Sequence, residues 1–247
     1  MAKRQGKAGS KRGAAEAPRR KPFARVVRWL AKGVLVLVFL VVLLTAAVGV
    51  VNPPTTPYMF QEGSRLGGVT HEWVAMDDIS PVMARSVVAA EDANFCLHWG
   101  LDLDAIRDAM DDGGARGGST ISQQVVKNVF LWHGRSWVRK AIEAGWTPLA
   151  EALWSKRRML ELYLNVAEFD TGVFGVQAAA RHYFGVDAAE LSDVQAARLA
   201  AILPDPKGRS AADPSRFVRQ RAASILDGAA TIAADGRAAC FEPARDG

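Results

Sequence analysis

The sequence predicts a mainly α-helical domain carried behind one membrane-spanning helix. Three observations lead there: an uncharged apolar run near the start, repeated helix-capping signals followed by apolar residues at helical spacing, and no convincing run of alternating apolar and polar residues bounded by turns. Of the 247 residues, roughly 190 follow the apolar run, enough for one sizeable domain with its own core.

Charge divides the chain. Residues 1–32 hold eleven Lys or Arg and one acidic residue, Glu16, a net +10 that leaves −5 for the rest of a chain whose total is +5. A basic run can bind nucleic acid, but this one abuts residues 33–51, nineteen uncharged positions rich in Val and Leu, so no nucleic-acid partner is expected. As a helix that run spans about 28 Å, close to the hydrocarbon thickness of a bilayer. The positive-inside rule puts the tail in the cytoplasm and everything after Asn52 on the far side. Ala46, Ala47 and Gly49 offer a signal-peptide cleavage site, but the long basic segment and the length of the apolar run favour a retained anchor. Cys96 and Cys240 are the only cysteines and both lie in the exported part, where they can pair. No CxxC or histidine cluster points to a zinc site.

Residues 52–57 (NPPTTP) read as a stiff exit from the membrane, within a linker expected at 52–72. Ser80 and Pro81 make an N-cap and N1 pair, opening a helix through Met83, Val87, Val88 and Ala90. Asp102 reads as the cap of another helix, through Ile106 and Met110. Residues 111–118 (DDGGARGG), with four glycines in eight, read as a flexible loop. Thr120 and Gln123 have capping-box spacing, so a helix starts within GGSTISQQVVKN, residues 117–128. The helical pattern resumes at 136–145. Thr147 with Pro148 then predicts a fresh cap or a kink before a helix through Met159, Leu160 and Tyr163. Residues 168–175 form a loop where short strands fit, as they do near the linker, and a small-residue helix follows, ending at Gly185. Ser192 and Gln195 form a second capping box, opening a helix that Pro204 stops. The domain is expected over 73–234, with 235–247 poorly ordered.

Within GGSTISQQVVKN, Thr120, Gln124, Lys127 and Asn128 fall on one side of the helix, and Ile121, Val125 and Val129 on another. The polar side fits a binding face for something anionic and oxygen-rich, such as a phosphorylated sugar, and equally a solvated amphipathic face. Glu91 falls at the C-terminal end of the helix begun at Ser80, where the helix dipole disfavours a carboxylate. Burial against Phe95 and Trp99 would add to that, and both effects bring its proton affinity toward that of a general base or acid. By position alone Glu91 is also an ordinary surface glutamate, with Asp92 and His98 beside it as candidate orienting residues. Glu143 lies four residues after Arg139 and three after Lys140, which reads either as a plain helical ion pair or as a cluster gathering negative oxygens with Lys127, directly or through a divalent ion.

The combination EDANFCLHWG, GGSTISQQVVKN, RKAIE and SKRRMLELYLNVAEFDTGVFGVQAAARHYFG, in that order, resembles the peptidoglycan glycosyltransferases of family 51, over residues 73–221. With one anchor and no penicillin-binding domain, the chain is similar to the monofunctional members. The resemblance implies a lysozyme-like, two-lobed helical domain at the outer face of the inner membrane. It implies that lipid II and the growing lipid-linked glycan chain are the substrates, joined with inversion and release of undecaprenyl pyrophosphate. Glu91 matches the family's general base and Glu143 its second carboxylate, near the pyrophosphate. Lys127 and Arg139 match the cations that stabilise the leaving group, with Lys140 beside them. Ser119, Thr120, Gln123, Gln124 and Asn128 match the second motif, and Asp92, Phe95 and His98 lie in the first. Glu161 and Asn165 lie in the fourth, the glutamate as scaffold. Mg²⁺ or Mn²⁺ at the pyrophosphate, and cell-wall synthases or division proteins as partners, are further expectations.

The chemistry agrees with this: activating a sugar hydroxyl needs a base, and expelling a pyrophosphate needs positive charge. Carboxylates alone would suffice for a glycosidase that cuts glycan strands, the nearest rival, and a non-catalytic scaffold would need neither. Phe130, Leu131, Trp132 and Trp137 are candidates to locate the bilayer surface. Two positions depart from the family pattern: Cys96 replaces a common proline, and Pro148 falls in a helix that is usually unbroken.

Overall fold

The computed structural model describes residues 22–102, 107, 118–134 and 136–242. The helix expected after Asp102 and the glycine-rich loop at 111–118 fall outside these residues, except for Arg107 and Gly118. The chain divides into two compact units, Met1–Val41 and Val42–Gly247.

Helix α1 (Pro22–Val50) starts before the uncharged run, and its stretch Arg25–Val50 has the length and composition to cross a bilayer. In the first unit the Val, Leu and Phe side chains from Val26 to Leu40 are exposed, the surface a lipid-facing helix presents. Residues 42–50, in the second unit, pack on the domain. Trp146 Nε1 donates to Thr45 Oγ1 at 2.8 Å, Trp154 Nε1 to Thr45 O at 2.7 Å, and Arg158 Nη2 to Val48 O at 2.9 Å. A Cβ on Gly49 would lie 2.8 Å from the Trp154 ring, so the absence of a side chain permits this approach.

The expected linker contains a helix, α2 (Pro57–Leu66). Thr56 caps it, accepting from Met59 N at 3.2 Å, with proline at N1, and Gly67 in the left-handed region ends it. Its Met59 is buried in the core. Three short strands, β1 (Thr70–His71), β2 (Glu168–Asp170) and β3 (Val173–Phe174), occupy the two places where strands were expected. They form one sheet in the order β1-β3-β2, with β1 parallel and β2 antiparallel to β3.

The remaining described helices are α3 (Pro81–Glu91), α4 (Ile121–Phe130), α5 (Trp137–Leu153), α6 (Lys156–Val166), α7 (Val176–Phe184), α8 (Asp193–Ile202) and α9 (Arg216–Ala234). One group packs α3, α8 and α9 together, and a second packs α4 against α5 and α6. In α8, Ala196, Ala197, Ala200 and Ala201 are all fully buried, and their small side chains let three helices approach closely. Both expected capping boxes form, at Thr120–Gln123 and Ser192–Gln195. Ser80 differs: Pro81 takes N1, but the Ser80 hydroxyl makes no capping bond.

Pro148 neither starts nor breaks a helix. It lies inside α5, where it removes one backbone donor, and its neighbour Thr147 turns its hydroxyl back onto Glu143 O at 2.7 Å. Residues 235–242 are also not the loose end expected. Ala238 and Phe241 are buried, Cys240 is bonded to Cys96, and Glu242 pairs with Arg85 at 2.6 Å, so long-range ties hold a segment whose local sequence looks like a tail.

Candidate active site

Helix α3 ends on Glu91, partly buried, where α4 passes beside it. Gln124 Nε2 donates to Glu91 Oε2 at 2.9 Å, and Tyr163 OH donates to Gln124 Oε1 at 3.4 Å. The phenol thus fixes which end of the amide faces the carboxylate. Tyr163 is buried and holds its proton far more tightly than a free tyrosine, through burial first and the Glu91 charge second. Asp92, the next residue, bonds His98 Nε2 at 2.8 Å and accepts from Ile121 N at 3.0 Å. A carboxylate at the first N–H of α4 complements the helix dipole, and it ties the end of α3 to the start of α4. Asp92, His98 and Asp102 bring potential metal-ligating atoms within 4.8 Å of one another, but both Asp92 oxygens are engaged, by His98 and Ile121 N, and Asp102 Oδ2 accepts from Asn94 Nδ2 at 3.1 Å. The group is a hydrogen-bonded tie.

Glu143, only 2 % exposed, accepts from Arg139 Nη1 at 2.6 Å and Lys140 Nζ at 2.5 Å, one cation to each oxygen. Lys140 also donates to Ser119 Oγ at 2.9 Å, joining α5 to the entry of α4. Lys127 completes the set. Among the described residues its ammonium has no ion-pair partner, and its pKa is lowered, by burial first, with Glu143 and Glu91 raising it and Arg139 and Lys140 lowering it. A partly desolvated cation that has no ion-pair partner among the described residues is a site for an incoming anion. The protein groups do not suit a resident divalent ion. Glu143 is the one carboxylate among three cations and both of its oxygens are taken, so no step below runs through Mg²⁺ or Mn²⁺.

Two cavities flank these groups. One, of about 380 Å³, is lined by Glu91, Asp92, Asn94, Ser119 and Thr120; the other, of about 350 Å³, by Gln124, Lys127, Asn128, His133 and Tyr163. Gln124 links them, lining the second while bonding the carboxylate of the first. Asn128 is buried and its Oδ1 has no partner among the described residues. It lines the cavity that also holds Lys127.

Two candidates, Gln123 and Phe95, belong to the fold, and Thr120, which lines the first cavity, takes part in it as well. Thr120 and Gln123 are buried and bond each other in the capping box, and the Thr120 hydroxyl also donates to Gly100 O at 2.6 Å. Phe95 is fully buried beside Phe241, under the Lys156 ammonium 4.5 Å from its ring centre, while Trp99, expected beside it, is exposed. Of the apolar residues considered for the bilayer surface, Leu131 is in the core and Phe130 stacks on Trp146, but Trp132 and Trp137 are exposed. Asn165 is buried and bonds both Val74 N and Val74 O, and Glu161 pairs with Arg158 at 3.0 Å, so both are scaffold.

One part of the site carries no sequence signal. Tyr58, from α2, donates to Glu168 Oε2 at 2.6 Å, accepts from Lys207 Nζ at 3.1 Å and stacks on His133 with ring centres 3.6 Å apart. All four line the second cavity. Burial, then the Glu168 bond, pushes Tyr58 up to about 12, and burial, then the Lys127 charge, pushes His133 down to about 4. His133 is therefore neutral at neutral pH. These groups come from positions up to 149 apart, and only the fold assembles them.

A transglycosylase family model matches residues 61–230. Three curated relatives, each called a biosynthetic peptidoglycan transglycosylase, align along nearly their whole length. The protein from Jannaschia sp. is 64 % identical over 87 % of this chain and 90 % of its own. That from Caulobacter vibrioides is 44 % identical over 87 % and 98 %, and that from Rhodospirillum centenum 45 % identical over 88 % and 96 %. On the family model and these relatives, this chain belongs to the transglycosylase family.

Proposed function

We propose that this chain extends glycan strands from lipid II at the outer face of the inner membrane, with its N-terminus in the cytoplasm and its catalytic domain in the periplasm. It is a peptidoglycan glycosyltransferase of cell-wall synthesis. In the reaction the 4-hydroxyl oxygen of an acceptor GlcNAc attacks C1 of a lipid-linked MurNAc. Glu91 takes the hydroxyl proton while the bond from C1 to the phosphate oxygen breaks. The electron pair leaves with undecaprenyl pyrophosphate, and attack from the opposite face turns the α linkage into β.

The observation that carries this reading is a carboxylate lining one cavity and, lining the adjoining one, a cation with no ion-pair partner among the described residues. Glu91 is held by the Gln124 amide, and Lys127 lines the adjoining cavity with the Arg139–Glu143–Lys140 cluster nearby in charge. A base on one side and positive charge on the other match the two demands of the step: a proton to remove and a pyrophosphate on which negative charge grows. Lys140, bonded to Ser119, adds to this cationic side, and Asn128 adds an amide oxygen toward sugar hydroxyls. Cell-wall synthases or division proteins are the partners this placement suits, since uncrosslinked strands need a separate enzyme to crosslink them.

The purified full chain, given lipid II in detergent, is expected to make long uncrosslinked strands with one undecaprenyl pyrophosphate released per disaccharide added. Intact lipid II alongside cutting of preformed glycan would overturn the proposal in favour of a lytic enzyme.

A further inference from the structure

Downstream of Glu91 the chain turns through residues 92–97, and the C-terminal segment 235–242 holds that turn at several points. Cys240 is bonded to Cys96 across 144 positions of sequence. Arg237 Nη1 donates to Ala93 O at 3.1 Å, and the Phe241 ring, only 1 % exposed, lies 6.4 Å from that of Phe95. Glu242 pairs with Arg85 on α3, the helix that carries Glu91, at 2.6 Å with both side chains largely buried. The segment is itself fixed from the far side, where Arg157 on α6 donates to Phe241 O at 2.8 Å. Ala93 lines the first cavity, but Arg237, Cys240, Phe241 and Glu242 line neither of the two.

We infer that residues 235–242 are a strap that positions Glu91 against Gln124, and that the Cys96–Cys240 disulfide is its lock. The inference rests on Glu91 being the base. Its physical ground is where the ties fall: on the turn that begins one residue after Glu91 and on the helix that ends there, the two places that decide where its carboxylate points. A base displaced by a fraction of an ångström loses rate while the cavities still bind substrate. The placement of the cysteines also fits. The exported compartment keeps such a bond oxidised, and both cysteines are only partly buried, so a dithiol can reach them. Reduction is thiol–disulfide exchange: two electrons and two protons pass from the dithiol, leaving two protein thiols and the oxidised cyclic disulfide.

The test uses the full chain in detergent with lipid II. Full reduction by dithiothreitol, confirmed by titrating two thiols, should lower kcat by about tenfold with KM changed by less than about twofold. Oxidised glutathione should restore the rate. Cys96→Ser with Cys240→Ser should start at the lowered kcat and ignore the reductant, and Phe241→Ala, with the disulfide intact, should show the same split between kcat and KM. Circular dichroism at the assay temperature reports the folded fraction. An unchanged kcat after full reduction overturns the strap, as does a loss that merely follows the folded fraction. Glu91→Gln separates the two readings: if it stays active, the base assignment falls; if it is inactive while reduction of the wild type is silent, the strap alone falls.

Discussion

Replacing Lys127 by methionine should make the protein more stable and nearly inactive. Its ammonium is largely removed from water and, among the described residues, has no ion-pair partner; the carboxylates that favour its charge, Glu143 and Glu91, are opposed by Arg139 and Lys140. Burying a charge without a partner costs free energy that the folded state must carry. Methionine keeps the unbranched stem and removes the charge, for a gain of about 1 kcal/mol, typical of relieving a site held for function. In a domain of this size that is a rise in Tm of about 3 °C. The sign has a pH signature. Because the folded state lowers the lysine pKa below its ordinary 10.5, the unfolded chain binds more protons between those two values, and wild-type stability rises with pH through that window. The advantage of methionine is therefore full below the lowered pKa and shrinks as pH approaches 10.5. Catalysis should move the other way: losing a cation aimed at developing pyrophosphate charge costs about 10²–10³ in kcat. Thermal unfolding followed by circular dichroism in detergent, alongside strand synthesis from lipid II, reads both. A Lys127→Met protein with lower Tm and undiminished kcat would refute the reasoning.

Other outcomes follow from the same contacts. His133, with its pKa near 4 in the fold and 6.5 outside it, binds fewer protons folded than unfolded, so the domain should lose stability as pH falls from 6.5 toward 4. His133→Phe keeps a ring against Tyr58 and should lessen that acid loss; an identical pH–Tm curve would contradict it. Gly49→Val forces a side chain into the Trp154 ring and should cost about 1–3 kcal/mol, while Gly33→Val, with open space around it, should leave Tm unchanged. Equal effects of the two substitutions would argue against the packing of residues 42–50 on the domain.

What the sequence made legible is what local spacing encodes. The capping boxes at Thr120–Gln123 and Ser192–Gln195 are contacts three residues apart, and both form as read. The membrane-length helix follows from composition over one continuous run. Helical periodicity put Thr120 on the polar side, and it does line the first cavity, but a helical wheel could not show that Asp92 and Gly100 also bond the start of α4. At Thr147 and Pro148 the sequence predicts a fresh cap or a kink; no new helix starts there, and α5 runs on through Pro148 to Leu153. Residues 235–242 look like a tail because Cys240, Phe241 and Glu242 have their partners on the turn after Glu91, on α6 and on α3. The Tyr58–Glu168–Lys207 group is invisible for the same reason, its members being brought together by α2 and the sheet across more than a hundred positions.

The central claim, that Glu91 is the base of a strand-forming glycosyl transfer, is tested most directly by Glu91→Gln in a single turnover of lipid II by the full chain. Glutamine keeps the shape of the side chain and an oxygen able to accept from Gln124 but cannot take the acceptor's proton. The account predicts a folded protein that binds lipid II about as tightly as the wild type and forms no detectable β-linked product. Glycan formation at a rate within about tenfold of the wild type, less than the 10²–10⁴ expected of a general base, would contradict it.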